Sequence, residues 1–271
     1  MNKYMQVFIF EVKKILPSLL IWIASIFVLH LFFMAFFPTF SKEAATLDRI
    51  LAFYPPELLK AFGLGEASSL ADLLGYYGFV FPFVQLCLGV QSAYYGFHLL
   101  SVEEREMTAD FLLSKPVSRK NIWLSKVTTG YFSMLTTAFF TCLGGLIALK
   151  FFSSGQSYDT HLFVRAYLWI PVFQTSFFSF GLFISCLLSK IRSVLGYTMG
   201  IVFATYVLNA FRSIIGSQHI ALLSPFYHLD FTYLVRNNQF NLSLILPASF
   251  VSFILLYGSY RLFLMRNMRT L

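Results

Sequence analysis

The sequence predicts an all-α membrane protein with six transmembrane helices. Of its 271 residues, 58% are apolar, 19% are aromatic and only 12% are charged, and the mean hydropathy is +0.71. Charged residues make up roughly 25% of a typical water-soluble domain. The apolar residues also form six long runs, and no stretch between them is long enough to build a separate aqueous core. We therefore expect one membrane domain over residues 1–271.

Each of the six runs is long enough to cross a bilayer. About 20 helical residues, each rising about 1.5 Å, span roughly 30 Å of hydrocarbon. A transmembrane β-barrel would need strands in which apolar and polar residues alternate, and the run IFVLHLFFMAFF does not alternate. Helices are therefore predicted near residues 16–37, 76–100, 122–150, 163–188, 194–215 and 243–265.

Residues 1–15 are predicted to form an interfacial helix before the first span. Phe8, Val12 and Ile15 share one helical face. Three lysines in the same segment can reach lipid headgroups. We expect this helix to lie along the bilayer surface and to lead into the first span.

The distribution of basic residues predicts the orientation of the chain. Six spans place both termini on one side, and with cytoplasmic termini 13 of the 20 Lys and Arg residues lie inside. We therefore expect a multi-pass protein of a bacterial plasma membrane with cytoplasmic termini. This bias also accounts for the net charge of +8. No nucleic-acid partner is predicted, because no basic patch interleaved with aromatics lies outside the membrane flanks.

The first outer loop contains a further amphipathic stretch. Pro55 and Pro56 interrupt it, and Glu57 supplies a first-turn acid for a short helix that ends near Gly63. We expect this helix to rest on the outer bilayer surface.

The loop between the second and third spans is predicted to contain a helix over about residues 101–115. Ser101 and Glu104 have the spacing of a capping box, and Met107 and Phe111 share one face. Pro116 should end the helix. Its acidic side chains would be repelled by an anionic inner leaflet, which favours a protein as its contact. These acids are Glu103, Glu104, Glu106 and Asp110.

Several polar residues fall within the predicted spans, where an unpaired polar group costs free energy. They could line a path through the membrane, or they could form hydrogen bonds between helices. The candidates are His30, Gln85, Gln91, Gln174 and Asn209.

The inner loop resembles that of the permease subunits of ABC-2-type transporters. The resemblance rests on an acidic pair, a threonine and an LLSKPVSR run that leads into a lysine-containing third span. These residues are Glu103, Glu104, Thr108, Leu112, Leu113, Ser114, Pro116, Val117, Ser118, Arg119 and Lys126. Two loop segments, YPPELLKAFGL and LSPFYHLD, also resemble recurrent segments of that family. Met107 departs from the pattern, because the family usually has glycine before the threonine.

The resemblance implies that the inner-loop helix is a cytoplasmic coupling helix, seated in a groove of a separate ATP-binding subunit. The chain has no G-x-x-x-x-G-K-[ST] phosphate loop, so ATP and Mg²⁺ are expected on that partner. We expect no cofactor on this chain and no enzymatic activity of its own. The residues expected to couple to the ATPase are Glu103, Glu104, Arg105, Glu106, Thr108, Phe111, Leu112, Arg119, Lys190 and Arg192.

The resemblance further implies an exporter assembled from two permease chains and two ATP-binding subunits, surrounded by lipid. A homodimer and a heterodimer are both compatible with the sequence. The family's fifth span contributes to the dimer seam, and here it carries Gly196 and Gly200 at GxxxG spacing. Ordinary packing within the chain is the alternative for this pair.

Two other functions are considered. A membrane-embedded enzyme is disfavoured because the sequence has no H-E-x-x-H, no G-x-S-x-G and no paired intramembrane aspartates. An ATP-independent channel or carrier usually shows intramembrane charges or inverted repeats, and none were recognised. Activity that persists without any ATPase would support either alternative.

Overall fold

The protein folds as a bundle of long helices. The computed structural model describes residues 3–55, 59, 70–108, 116–188, 190–215 and 222–265, and across these ranges it contains helices and no strands. The helices are α1 (Lys3–Ala35), α2 (Phe37–Lys42), α3 (Ala44–Leu51), α4 (Leu73–Arg105), α5 (Arg119–Phe152), α6 (Thr160–Leu168), α7 (Ile170–Leu187), α8 (Val194–Ile215), α9 (Pro225–His228), α10 (Phe231–Asn237) and α11 (Leu242–Met265).

The six predicted spans are confirmed. Six helical segments of the described chain are long and apolar enough to cross a membrane. They are Tyr4–Lys42, Leu73–Arg105, Arg119–Phe152, Thr160–Leu187, Val194–Phe211 and Leu242–Met265. The predicted helix near Glu57–Gly63 falls largely outside the described residues.

The N-terminal segment differs from the prediction. Residues 3–15 are the first part of α1, which continues through Pro17 without a break. The predicted helix boundary near residue 15 is therefore wrong. The physical reason is that this segment packs along α5: the Tyr4 hydroxyl lies 2.9 Å from Thr128 Oγ1, and Ser125 Oγ donates to the Tyr4 carbonyl at 3.2 Å.

Helix α4 forms the centre of the bundle. It contacts α7 most extensively and also α1, α5 and α8, while α11 packs on α7. Within its apolar segment 72% of the residues are buried, against 17–22% in α1, α8 and α11. Gly96 and Gly181 bring the α4 and α7 backbones together, since a Cβ atom on Gly96 would lie 2.5 Å from the Phe178 carbonyl oxygen.

Aspartates define where three helices begin, at the end of the bundle opposite the loop between α4 and α5. Asp72 accepts a hydrogen bond from Gly75 N at 3.0 Å, and Asp159 accepts one from Leu162 N at 3.1 Å. Asp230 caps α10 in the same way. These N-caps satisfy backbone donors that have no partner within their own helix.

Candidate functional site at the inner end of the bundle

Helix α4 continues past the point where a new helix was predicted. Ser101 is inside α4, and its hydroxyl donates to the Phe97 carbonyl at 2.6 Å. The predicted capping box is therefore wrong, because Ser101 bonds back into the turn before it. Helix α4 ends at Arg105, and Glu106 is its C-cap. Beyond the cap, Met107 has a φ of 57° and Thr108 N donates to the Glu103 carbonyl at 2.8 Å.

Part of the predicted coupling helix cannot be placed. Residues 109–115, which include Phe111 and Leu112, lie outside the described residues. The segment over 101–106 belongs to α4 and its C-cap. A coupling helix over the remaining loop residues stays a prediction.

Three charged side chains meet inside the bundle where the inner loop leaves α4 and enters α5. Lys126 Nζ lies 2.9 Å from Glu11 Oε1 and 2.5 Å from Glu103 Oε1. The exposed fractions of the Lys126, Glu11 and Glu103 side chains are 1%, 3% and 11%. Buried charges need such partners, because an isolated ion loses its hydration without compensation. We call these residues the ion triad.

Glu103, which was expected to contact the ATPase, is buried, and its carboxylate points to Lys126. A contact of Glu103 with the ATPase stays a prediction. Sequence reasoning missed Glu11 and found no intramembrane charge. Lys126 could have indicated this cluster from the sequence, because it lies four residues inside the predicted third span, where a charged side chain needs a partner.

A second, exposed ion pair lies beside the triad. Lys14 Nζ is 2.9 Å from Glu106 Oε2, with 35% and 44% of the two side chains exposed. The hydrogen bond from Lys14 holds the pKa of Glu106 below its ordinary value. Lys14 follows Glu11 by three residues, and Glu106 follows Glu103 by three. Residues at this spacing share a helix face, so α1 meets the end of α4 at successive positions.

The other predicted coupling residues have several different surroundings. Glu104 is half-buried. Arg105 donates to His98 Nδ1 at 3.0 Å, and Arg119 donates to the Leu264 carbonyl at 3.3 Å. The predicted residues that are exposed at this end are Arg105, Glu106, Thr108, Lys190 and Arg192. They give the inner end a polar, mostly cationic rim that a soluble protein can contact.

Comparison with known families identifies the chain. The profile of ABC-2 family transporter proteins matches residues 5–255. The chain belongs to the ABC-2 transporter family. It is therefore a transmembrane permease component of the ABC transporter type, a class that works with an ATP-binding subunit and forms dimers. No curated protein matches the sequence.

In this ABC-2 permease, one predicted path residue belongs to a buried cluster far from the loop between α4 and α5. His30 Nε2 lies 2.8 Å from the Tyr77 hydroxyl oxygen and 3.0 Å from that of Tyr167, and its Nδ1 lies 2.8 Å from the Ile26 carbonyl oxygen. The two tyrosine hydroxyls also contact each other. The cluster joins α1, α4 and α6.

The glutamines of the permease also join helices. Gln91 donates to Thr137 Oγ1 at 2.8 Å, and Gln174 donates to Gln91 Oε1 at 3.4 Å. Gln85 donates to the Leu229 carbonyl at 2.7 Å. These contacts, with those of His30, favour the interpretation as hydrogen bonds within the chain over a path through it. Asn209 is half-buried, and its Oδ1 has no hydrogen-bond partner among the described residues.

The glycine pair of the permease faces away from its own bundle. Gly196 and Gly200 are both exposed on α8. Among the described residues, a Cβ atom on Gly200 would have no neighbour within 4 Å, and one on Gly196 would contact only Ser193, which directly precedes α8. Packing against the described residues therefore does not account for the pair.

Metal-binding side chains are not gathered anywhere in the described part of the permease. Across residues 3–55, 70–108, 116–188, 190–215 and 222–265, no three His, Cys, Asp or Glu side chains are grouped as a metal ion would require. The cluster that the described residues do bring together at the inner end holds an ammonium group between two carboxylates, which is a contact between helices.

Proposed function

We propose that this chain is the permease subunit of an ATP-driven exporter of the ABC-2 type. The observation that carries the proposal is the family match over residues 5–255. Two permease chains enclose the translocation path, and each is coupled to one separate ATP-binding subunit. ATP and Mg²⁺ bind to those subunits.

The inner end of the bundle is the surface that receives the motion of the ATPase. Arg105, Lys190 and Arg192 are exposed there, and the coupling helix predicted for the loop between α4 and α5 is the proposed point of contact. Closure of two ATP-binding subunits moves each loop as a rigid body. Such closure drives export only if the inward-open and outward-open states bind the substrate with different affinity.

The second permease chain docks on α8. Gly196 and Gly200 leave that face without side chains, and small residues let two helix backbones approach closely in a membrane. The exposure of this face supports a seam between two chains, either identical or different.

The proposal is tested by purifying the tagged chain from its native membrane in mild detergent. We expect a near-stoichiometric ATP-binding protein to co-purify. The double variant Glu104→Lys with Phe111→Ala should release it, because Phe111 belongs to the inner loop and Glu104 to the last turn of α4, from which that loop continues. Arg236→Glu serves as the matched control, since Arg236 is an exposed charge at the opposite end of the bundle.

Recovery of the chain alone under several detergents would overturn the proposal. Transport activity of the purified chain without any ATPase would instead support a channel or carrier. Release of the partner by the Arg236→Glu control would show that the loop is not the docking site.

A further inference from the structure

The ion triad joins three helices at one buried point. Glu11 belongs to α1, Glu103 to the end of α4 and Lys126 to the beginning of α5. The inner loop connects the end of α4 to the beginning of α5. The triad therefore holds the two ends of that loop together and also binds α1 to them.

Other contacts connect α1 to both edges of the same loop. On the α4 side, Lys14 pairs with Glu106 at 2.9 Å. On the α5 side, the Tyr4 hydroxyl lies 2.9 Å from Thr128 Oγ1. Helix α1 is thus attached before and after the loop, and the triad is the buried part of that attachment.

The ion triad differs from apolar packing in the cost of separating its members. Apolar side chains of similar volume would often hold the helices together equally well. Separating Glu103 from Lys126 would instead leave ions unpaired inside the bundle, which is strongly unfavourable. The three helix segments therefore move together.

We propose that the ion triad makes α1 move with the inner loop, and that Glu11 is the positioning residue that attaches α1. This inference rests on the proposed function, because it concerns how motion of the ATPase reaches the bundle. A displacement of the loop base is passed through Lys126 to Glu11. The first span then moves with the second and third instead of staying in place.

The test measures the position of α1 in the complete complex with its ATP-binding subunit. Spin labels are placed at Phe10 on α1 and Leu195 on α8, whose side chains are 63% and 56% exposed. Three native cysteines are first replaced by alanine, and labelled chain is diluted with unlabelled chain. The distance between the labels is measured without nucleotide and after trapping with ATP, Mg²⁺ and vanadate. We expect trapping to shift this distance in the otherwise wild-type chain.

Glu11→Leu is the decisive variant. It removes the buried ionic attachment of α1 but leaves Lys126 and Glu103 as a neutral pair, so no charge is left without a partner. We expect the trapped shift to be lost while the ATP-binding subunit stays bound and hydrolyses ATP. Glu11→Gln should restore the shift, because its amide oxygen still accepts a hydrogen bond from Lys126. Lys13→Leu removes an exposed charge from α1 and should leave the shift unchanged.

A second variant keeps the test valid if Glu11→Leu does not accumulate. The triple variant Glu11→Leu, Glu103→Gln, Lys126→Met contains no buried charge of the triad and should also lose the shift. A wild-type shift in either variant would overturn the inference, as would an assembled, ATP-hydrolysing wild-type complex without a shift. Absence of any ATP-binding partner on the wild-type chain would overturn the proposed function itself.

Discussion

Met107 holds the left-handed backbone that ends α4. Its φ is 57° and it is 69% exposed, so burial of the side chain offsets little of the strained conformation. A residue with a Cβ atom is destabilised by roughly 1–2 kcal/mol in this left-handed conformation. Glycine avoids this cost, but part of the gain is offset because glycine gives the unfolded chain more conformational freedom. We expect Met107→Gly to raise the free energy of unfolding by about 0.5–1 kcal/mol, measured by thermal unfolding in detergent. Met107→Ala keeps the Cβ atom and should give no such gain.

Lys126 is the residue of the ion triad whose loss should be most costly. Lys126→Met strands two carboxylates in a buried site, and removing one partner of a buried ion pair typically costs about 3–5 kcal/mol. The measurement is unfolding of the purified chain by heat or denaturant. Lys120→Met is the matched control, because Lys120 is exposed on the same helix. Equal stability of the two variants would contradict the burial of the triad.

Glu106 should make a small, pH-dependent contribution. Its pKa is lowered by the hydrogen bond from Lys14. A lowered carboxyl pKa adds stability above the ordinary value of 4.5, and this is lost as pH falls through the folded-state pKa. Because the pair is half-exposed, we expect no more than about 1 kcal/mol. The melting temperature of Glu106→Gln should lie below wild type near neutral pH and equal it in strong acid.

The sequence predicted the chemistry of this region better than its geometry. The acidic cluster after the second span was recognised, but the contact of Glu103 with Lys126 was not. A sequence pattern places Glu103 on a helix but not against a particular neighbour. Glu11 lies 92 residues away in the chain, and only tertiary packing brings it to the same point.

At the scale of single helices, the apolar runs located all six spans. Helix ends were less predictable, because each end depends on the tertiary contacts of the polar residues beyond the apolar run. Lys126 neutralises charge at the end of α4, so the helix continues past Ser101 to Arg105. Contact with α5 similarly keeps residues 3–15 in line with the first span. Neither partner can be identified from the local sequence.

The contact between α4 and α7 depends on Gly96. A Cβ atom there would lie 2.5 Å from a backbone oxygen of α7 and 3.0 Å from Gly181 Cα. Backbone atoms cannot move aside as a flexible side chain can, so we expect Gly96→Ala to lower the free energy of unfolding by about 1–3 kcal/mol. Gly200→Ala has open space around the new methyl group and should be neutral or slightly stabilising. Unfolding of both variants in detergent provides the comparison.

At the scale of the whole molecule, the exposed face of α8 makes dimer formation testable. In a chain whose native cysteines are replaced by alanine, Gly200→Cys should form a disulfide-linked dimer on mild oxidation in native membranes if two identical chains meet there. Tyr257→Cys, on the exposed part of α11, is the control and should stay monomeric. A cross-link to a different permease would identify a heterodimer. Cross-linking only at Tyr257→Cys would contradict the seam on α8.

The central place of α4 also has a consequence for biogenesis. Helices enter the bilayer in the order of their synthesis, so α4 arrives before the partners of its glutamines. Gln91 bonds to Thr137 and Gln174, and Gln85 bonds to the carbonyl of Leu229. Until those later segments are inserted, two amide side chains face lipid without a partner, which is costly. A ribosome stalled after α4 and before α5 would therefore leave a nascent chain that an insertase must shield and that membrane proteases can recognise.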